Sequence, residues 1–173
     1  LGAFVTALRA LPGEGGPIAG SVNSNRGVPL ATIDKITRQS IGELARHFPM
    51  ARLTALWDDA LAAPLWNGAP LWVHGDLSPA NLVASGGRLS SVIDFGLMAR
   101  GDPAVDLVPA WSVFDGPART AFLGRAGIDA AARRRGRGWA LYTGVVALAY
   151  YGDSHPTLSR ICRRTIDAVL TEG

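Results

Sequence analysis

The sequence predicts an α+β fold, a mainly helical body with a small β-hairpin region in its middle. Three observations carry this. Apolar residues recur at helical spacing in the first third of the chain and again after Pro103. From Pro70 the texture changes to three short apolar runs, Leu71-Trp72-Val73, Leu82-Val83 and Leu89 to Ile93. Ser85-Gly86-Gly87-Arg88 separates the last two, and such a break between apolar runs reads as a hairpin turn. At 173 residues the chain fits one domain (1–173) and is long enough to bury a sizeable core.

Each element follows from its local pattern. Residues 2–11 show helical spacing, with Phe4, Leu8 and Leu11 on one stripe, and Pro12 to Pro17 end that helix in a glycine-rich loop. A polar segment, Ser21 to Gly27, follows. A second helix is expected from about Leu30 to His47, with Ile33, Ile36, Ile41 and Leu44 on one face, and Pro49 interrupts it. A third runs from about Met50 to Ala63 and is closed by Pro64. After Pro103 the pattern predicts helices over about 104–114, 116–126, 129–151 and 156–171.

Composition narrows the function classes. With 48% apolar residues the chain reads as a soluble globular protein. No apolar run reaches the roughly 18 residues of a membrane span; the best candidate, Trp139 to Tyr151, suits a buried helix. The first residues lack the basic and apolar regions of a signal peptide, and there is no initiating Met. The chain opens as if already inside a helix, which predicts a piece of a longer polypeptide. The single cysteine, Cys162, excludes an internal disulfide, fits a reducing cytoplasm and reads as a passive core thiol. The net charge of +3 comes almost wholly from arginine, because Lys35 is the only lysine and no glycine loop precedes it. Gly13-Glu14-Gly15-Gly16 follows a helix between prolines and lacks the form of a phosphate loop. The run Arg133-Arg134-Arg135-Gly136-Arg137 is expected to be a solvated helix start. Without aromatic interleaving or zinc spacing it makes a poor nucleic-acid patch, though an anionic substrate could meet it. Trp66, Trp72, Trp111 and Trp139 read as core, with Trp111 or Trp139 the choice if one lines a substrate cleft.

Chemistry concentrates in the middle of the chain. Residues 73–81 read Val-His-Gly-Asp-Leu-Ser-Pro-Ala-Asn, and residues 92–96 read Val-Ile-Asp-Phe-Gly. A strand leads into a loop bearing Asp76, and Asn81 follows in the same loop. The hairpin should return the chain so that Asp94 meets Asn81. Phosphoryl transfer needs such a set: a carboxylate to orient the acceptor hydroxyl and take its proton, and oxygen ligands to hold Mg²⁺ against the phosphates. An Asn ligates metal without adding negative charge beside two carboxylates.

These residues match the protein-kinase pattern of a catalytic-loop Asp, an Asn five later and an Asp-Phe-Gly. Gly75 stands where protein kinases usually carry arginine. The form His74-Gly75-Asp76 to Asn81, then Ile93-Asp94-Phe95-Gly96, then Gly101-Asp102-Pro103-Ala104-Val105-Asp106-Leu107, closely resembles the aminoglycoside phosphotransferase and choline kinase superfamily. The resemblance implies a protein-kinase-like fold represented by its mainly helical C-terminal lobe. The N-terminal lobe, with its nucleotide loop, strand lysine and partnering glutamate, is expected to be absent from this chain. It further implies Asp76 as catalytic base, Asn81 and Asp94 as Mg²⁺ ligands with ATP or GTP as co-substrate, and His74, Asp102 and Asp106 as braces of the loops. Ser78 lies where its hydroxyl can approach the γ-phosphate.

The acceptor implied is a hydroxyl on a small molecule, an aminoglycoside-type antibiotic or a related alcohol. Cationic antibiotics call for a carboxylate-lined pocket, yet Asp115, Asp129, Asp153 and Glu172 are the available acids in an arginine-rich C-terminal region. Other readings stay open. Asp102 and Asp106 also suit helix capping, His74 suits a structural role, and the whole chain suits a non-catalytic small-molecule or partner-binding module derived from a kinase-like lobe.

Overall fold

The computed structural model describes residues 1–172, with the side chain of Asp153 outside the described part. Helix α1 (Gly2–Arg9) and α2 (Asp34–Glu43), the latter preceded by a 3-10 turn at Leu30–Ile33, lead to α3 (Met50–Leu61). Strands β1 (Leu71–Val73), β2 (Leu82–Ser85), β3 (Arg88–Val92) and β4 (Ala99–Gly101) occupy the middle. Beyond them come a 3-10 turn at Pro103–Leu107, α4 (Pro109–Ser112), α5 (Gly116–Arg125), α6 (Ala130–Tyr151) and α7 (Pro156–Thr171). No helix among the described residues is long and apolar enough to cross a membrane.

The β region is two small antiparallel pairs. Strands β2 and β3 form the expected hairpin, with Leu82 opposite Val92 and an irregularity between Val83 and Ala84. Strand β1 pairs with β4, which the sequence did not announce: Val73 lies opposite Ala99 and Leu71 opposite Gly101. The two pairs therefore share their connections, and both loops that carry chemistry leave from the same end.

Helix α6 is the axis of the body, packing against α7, α3, α2 and the 3-10 turn at Pro103–Leu107. Its glycines permit this. A Cβ on Gly138 would lie 2.6 Å from that of Ala60 in α3, and one on Gly136 would lie 2.8 Å from that of Leu107. Trp139, Leu141 and Val145 of α6 are fully buried, and Cys162, Ile166 and Val169 of α7 meet them at helical spacing. Trp111 and Trp139, candidates for a cleft, are both core residues without exposure, whereas Trp66, expected in the core, is exposed. The first stripe is built on Val5 and Leu8, and Leu11 is exposed because the helix ends before it. Ile36 likewise points outward while Ile33, Ile41 and Leu44 are buried. The stretch 104–114 is not one helix, since Pro109 starts a fresh turn after the 3-10 segment.

The arginine run corrects another expectation. Asp129 caps α6 by accepting from the Ala132 N–H at 2.6 Å, but the arginines behind it are engaged rather than merely solvated. Arg133 binds Glu172, and Arg134 and Arg137 both bind Asp59 of α3 at 2.9 and 2.7 Å. Arg135 is buried: its Nε donates to Asp102 at 2.7 Å and its Nη1 to the Pro64 carbonyl at 2.6 Å. A buried charge whose partner is removed is strongly destabilising, while an exposed pair contributes little. Arg135→Ala is therefore expected to cost about 3–5 kcal/mol in urea unfolding, and Arg133→Ala under about 1 kcal/mol.

Candidate active site

The chain leaves β1 at Val73 and turns at once. Gly75 takes φ +81°, and a Cβ there would sit 2.7 Å from the Leu97 carbonyl oxygen, so a side chain meets both backbone strain and a collision. This explains the glycine where protein kinases carry arginine. The N–H groups of His74 and Gly75 are taken by the two carboxylate oxygens of Asp106, at 2.8 and 2.9 Å. Asp106 has no exposure. Burial pushes its carboxyl above the ordinary value, against the two backbone N–H bonds and the nearby His74 and Arg9 that pull it down.

His74 is equally buried and spans the two loops. Its Nε2 lies 3.1 Å from the Ile93 carbonyl, and its Nδ1 accepts from the Asp76 N–H at 3.3 Å. A carbonyl only accepts, so Nε2 is the donor in its contact with Ile93. Phe95 packs on the same ring, with centroids 4.8 Å apart, and Phe4 of α1 meets both edge-on. Asp102 stands farther back: it accepts from the Ala104 N–H at 3.0 Å while paired with Arg135. It thereby caps the 3-10 turn that carries Asp106.

Asp76 and Asn81 are in contact. The Asn81 Nδ2 donates to the Asp76 carbonyl at 2.8 Å and to Asp76 Oδ2 at 2.9 Å. Both partners are acceptors, which fixes the orientation of the amide and turns its oxygen away from Asp76. The Ile93 N–H donates to the Asn81 carbonyl at 3.0 Å, so the hairpin sets Asp94 beside Asn81. Asp94 is exposed, adopts φ 63° and accepts from the Gly96 N–H at 3.3 Å. A left-handed backbone at a non-glycine residue is uncommon, and Asp is among the residues that tolerate it. The available donors are one amide oxygen and a carboxylate, hard ligands that suit Mg²⁺ and leave positions for phosphate oxygens and water. No cluster of three or more His, Cys, Asp or Glu side chains arranged for a metal occurs among the described residues.

A cavity of about 340 Å³ opens beside this loop, lined by Asp76, Ser78 and Asn81 on one side and by α6 and α7 on the other. Ser78 is half-buried and makes no side-chain capping bond to the turn that follows it. The acids weighed for a cationic acceptor lie elsewhere: Asp129 caps α6, Glu172 binds Arg133 and Trp111, and Asp115 is exposed near Arg164. The side chain of Asp153 lies outside the described residues. Arg26, from the polar segment before α2, also lines the cavity and was not singled out by sequence. It sits in no motif, and only the fold carries it to Gly75. Cys162 lines the cavity floor as well. Burial pushes its thiol up to about 11. Folded-state protonation is thus favoured, so its contribution to stability is full below the unfolded pKa and is lost as pH climbs toward 11. Iodoacetamide labelling of the native chain should be slow at pH 8 and should rise about tenfold per pH unit toward pH 11. In urea the rise should level off near the ordinary thiol value of about 8.5.

Comparison with known proteins finds similar folds. The fold is that of a solved aminoglycoside phosphotransferase, APH(2'')-Ib with bound ADP, at a TM-score of 0.52 and 17% identity over 98% of this chain and 60% of that one. A gentamicin complex of APH(2'')-IIa matches equally, and a streptomycin–ATP ternary complex of APH(2'')-IIa matches at 0.51 and 20% identity over 88% and 55%. The chain thus spans about 60% of the length of the first structures it matches. No curated protein sequence matches. The profile of the phosphotransferase enzyme family matches residues 1–139, which include both loops and the turn that braces them, and the chain belongs to that family.

Proposed function

We propose that this chain supplies the catalytic and acceptor-binding part of an enzyme that moves the γ-phosphoryl group of ATP or GTP to a hydroxyl of a small molecule. The observation that carries the reading is the Asp76–Asn81 contact at the edge of a cavity of about 340 Å³, with Asp94 delivered alongside by the hairpin. Membership of a phosphotransferase family and the nucleotide complexes of structurally similar proteins support it.

In this account Asp76 accepts a hydrogen bond from the acceptor hydroxyl and aims it at the γ-phosphorus. A new P–O bond forms as the bond to the bridging oxygen of the nucleotide breaks. The diphosphate leaves, and the hydroxyl proton passes to Asp76. Asn81 Oδ1 and the Asp94 carboxylate would hold Mg²⁺, which when bound would neutralise charge on the phosphate oxygens. The bond from Asn81 Nδ2 keeps Asp76 Oδ2 occupied, leaving Oδ1 for the acceptor. Ser78, on the same wall, hydrogen-bonds the transferred group. His74, Asp102 and Asp106 do not touch substrate; they hold the two loops at their spacing.

Asp76→Ala in the longest polypeptide its gene encodes should lower turnover by about 100-fold or more, with the far-UV circular dichroism and unfolding midpoint close to those of the parent. Phosphorylated product would be counted from radiolabelled γ-phosphate. Undiminished transfer by that variant would sink the mechanism.

A further inference from the structure

The acceptor cavity has an unusual charge content, and Arg26 is the reason. Among the described residues that line it, Asp76 is the one carboxylate and Arg26 the one cation. Among the described residues a polycationic acceptor would therefore find a single anionic contact, offset by a positive charge, with Asp129 and Glu172 committed elsewhere and Asp115 exposed near Arg164. Much of the remaining wall is apolar, including Val105, Val108, Ala147, Leu158 and Ile161. Such a wall favours a ligand body that leaves water, not one that keeps its hydration.

The guanidinium itself is incompletely satisfied. Nε and Nη1 of Arg26 are shielded from solvent and meet no hydrogen-bond partner among the described residues, while the group lies over the Tyr142 ring at 5.2 Å from its centroid. Stacking on an aromatic face replaces part of the lost hydration of a cation. It does not replace the N–H acceptors, and an unmet buried donor costs more than a typical hydrogen bond gains. The polar partner with the best match to an arginine fork is an oxyanion. Arg26 is also placed close to the chemistry, because its Cβ lies 3.1 Å from where a Cβ on Gly75 would be, and Gly75 adjoins Asp76.

We infer that the acceptor is a small, apolar-bodied alcohol bearing an oxyanion, with its hydroxyl at Asp76 and its anionic group on Arg26. This rests on the phosphotransferase reading of the same cavity and names its substrate class. The cavity volume of about 340 Å³ lies at the small end of ligand pockets, roughly 300–1,000 Å³, and so limits the body to about one ring.

The test is calorimetric titration, without nucleotide, of the longest polypeptide its gene encodes. The probes are 4-(hydroxymethyl)benzoate, uncharged benzyl alcohol and the polycation kanamycin. The hydroxy acid should bind about 10-fold or more tightly than benzyl alcohol, as one charge-assisted contact requires, and kanamycin should bind more weakly than either. Arg26→Gln should abolish the preference for the acid, and Arg26→Lys, which keeps the charge, should retain part of it. Equal binding of acid and alcohol, no detectable binding of the acid, tightest binding of kanamycin, or an unchanged preference in Arg26→Gln would each overturn the inference. Because no nucleotide is present, failure of phosphoryl transfer with the acid preference intact would count against the proposed reaction and leave the acceptor class standing.

Discussion

Two backbone N–H groups at the end of β1, those of His74 and Gly75, lie in a dry interior without a strand to receive them. The carboxylate of Asp106 takes both. An orphaned buried N–H costs about 1–3 kcal/mol, so this one side chain decides whether the loop can leave the strand where it does. Everything that follows hangs from that turn. Gly75 bends the chain through a left-handed conformation, Asp76 emerges at the cavity rim, and His74 reaches across to the Ile93 carbonyl just before Asp94. One carboxylate and one imidazole thus set the spacing of both loops.

The brace must itself be held, and the helical body does this. Asp102 caps the turn carrying Asp106 and is paired with the buried Arg135 of α6. Arg9 of α1 donates to the carbonyls of Pro103 and Ala126, tying the first helix to the same turn. Desolvation of a charge is tolerated only where partners surround it, and here the partners come from elements distant in sequence. The loops are consequently as rigid as the packing of α6 against α3 and α7. Positioning within a fraction of an ångström is what phosphoryl transfer asks of a protein, since most of its catalysis is orientation and charge neutralisation.

The helical periods of α2, α3, α6 and α7 and the Gly86-Gly87 turn were readable because each depends on neighbours in sequence. The grouping of Asp76, Asn81 and Asp94 in adjoining loops was readable for a different reason: the strand, turn and hairpin between them set their spacing. What was hidden depends on contacts between distant segments. β4 has only three residues and gains its partner from β1, so no local period marks it. Arg135 looked like part of a solvated run because its partner, Asp102, lies 33 residues away. The same holds for Arg26, which enters the cavity only after the polar segment before α2 folds against Gly75. Trp111 and Trp139 fill the core as read, and Trp66, expected there too, is exposed. A tryptophan near a motif can line a cleft or fill a core, and only the packing of α4, α6 and α7 decides.

The central claim is that the hairpin brings Asn81 and Asp94 together as a metal-dependent nucleotide site beside Asp76. The most direct measurement is a titration of ATP and GTP into the longest polypeptide its gene encodes, with and without Mg²⁺, repeated for Asp94→Ala. The account predicts nucleotide binding that strengthens with Mg²⁺ and loses that dependence in Asp94→Ala, with the fold unchanged by circular dichroism. Binding indifferent to Mg²⁺, or a Mg²⁺ dependence that survives in Asp94→Ala, would contradict it.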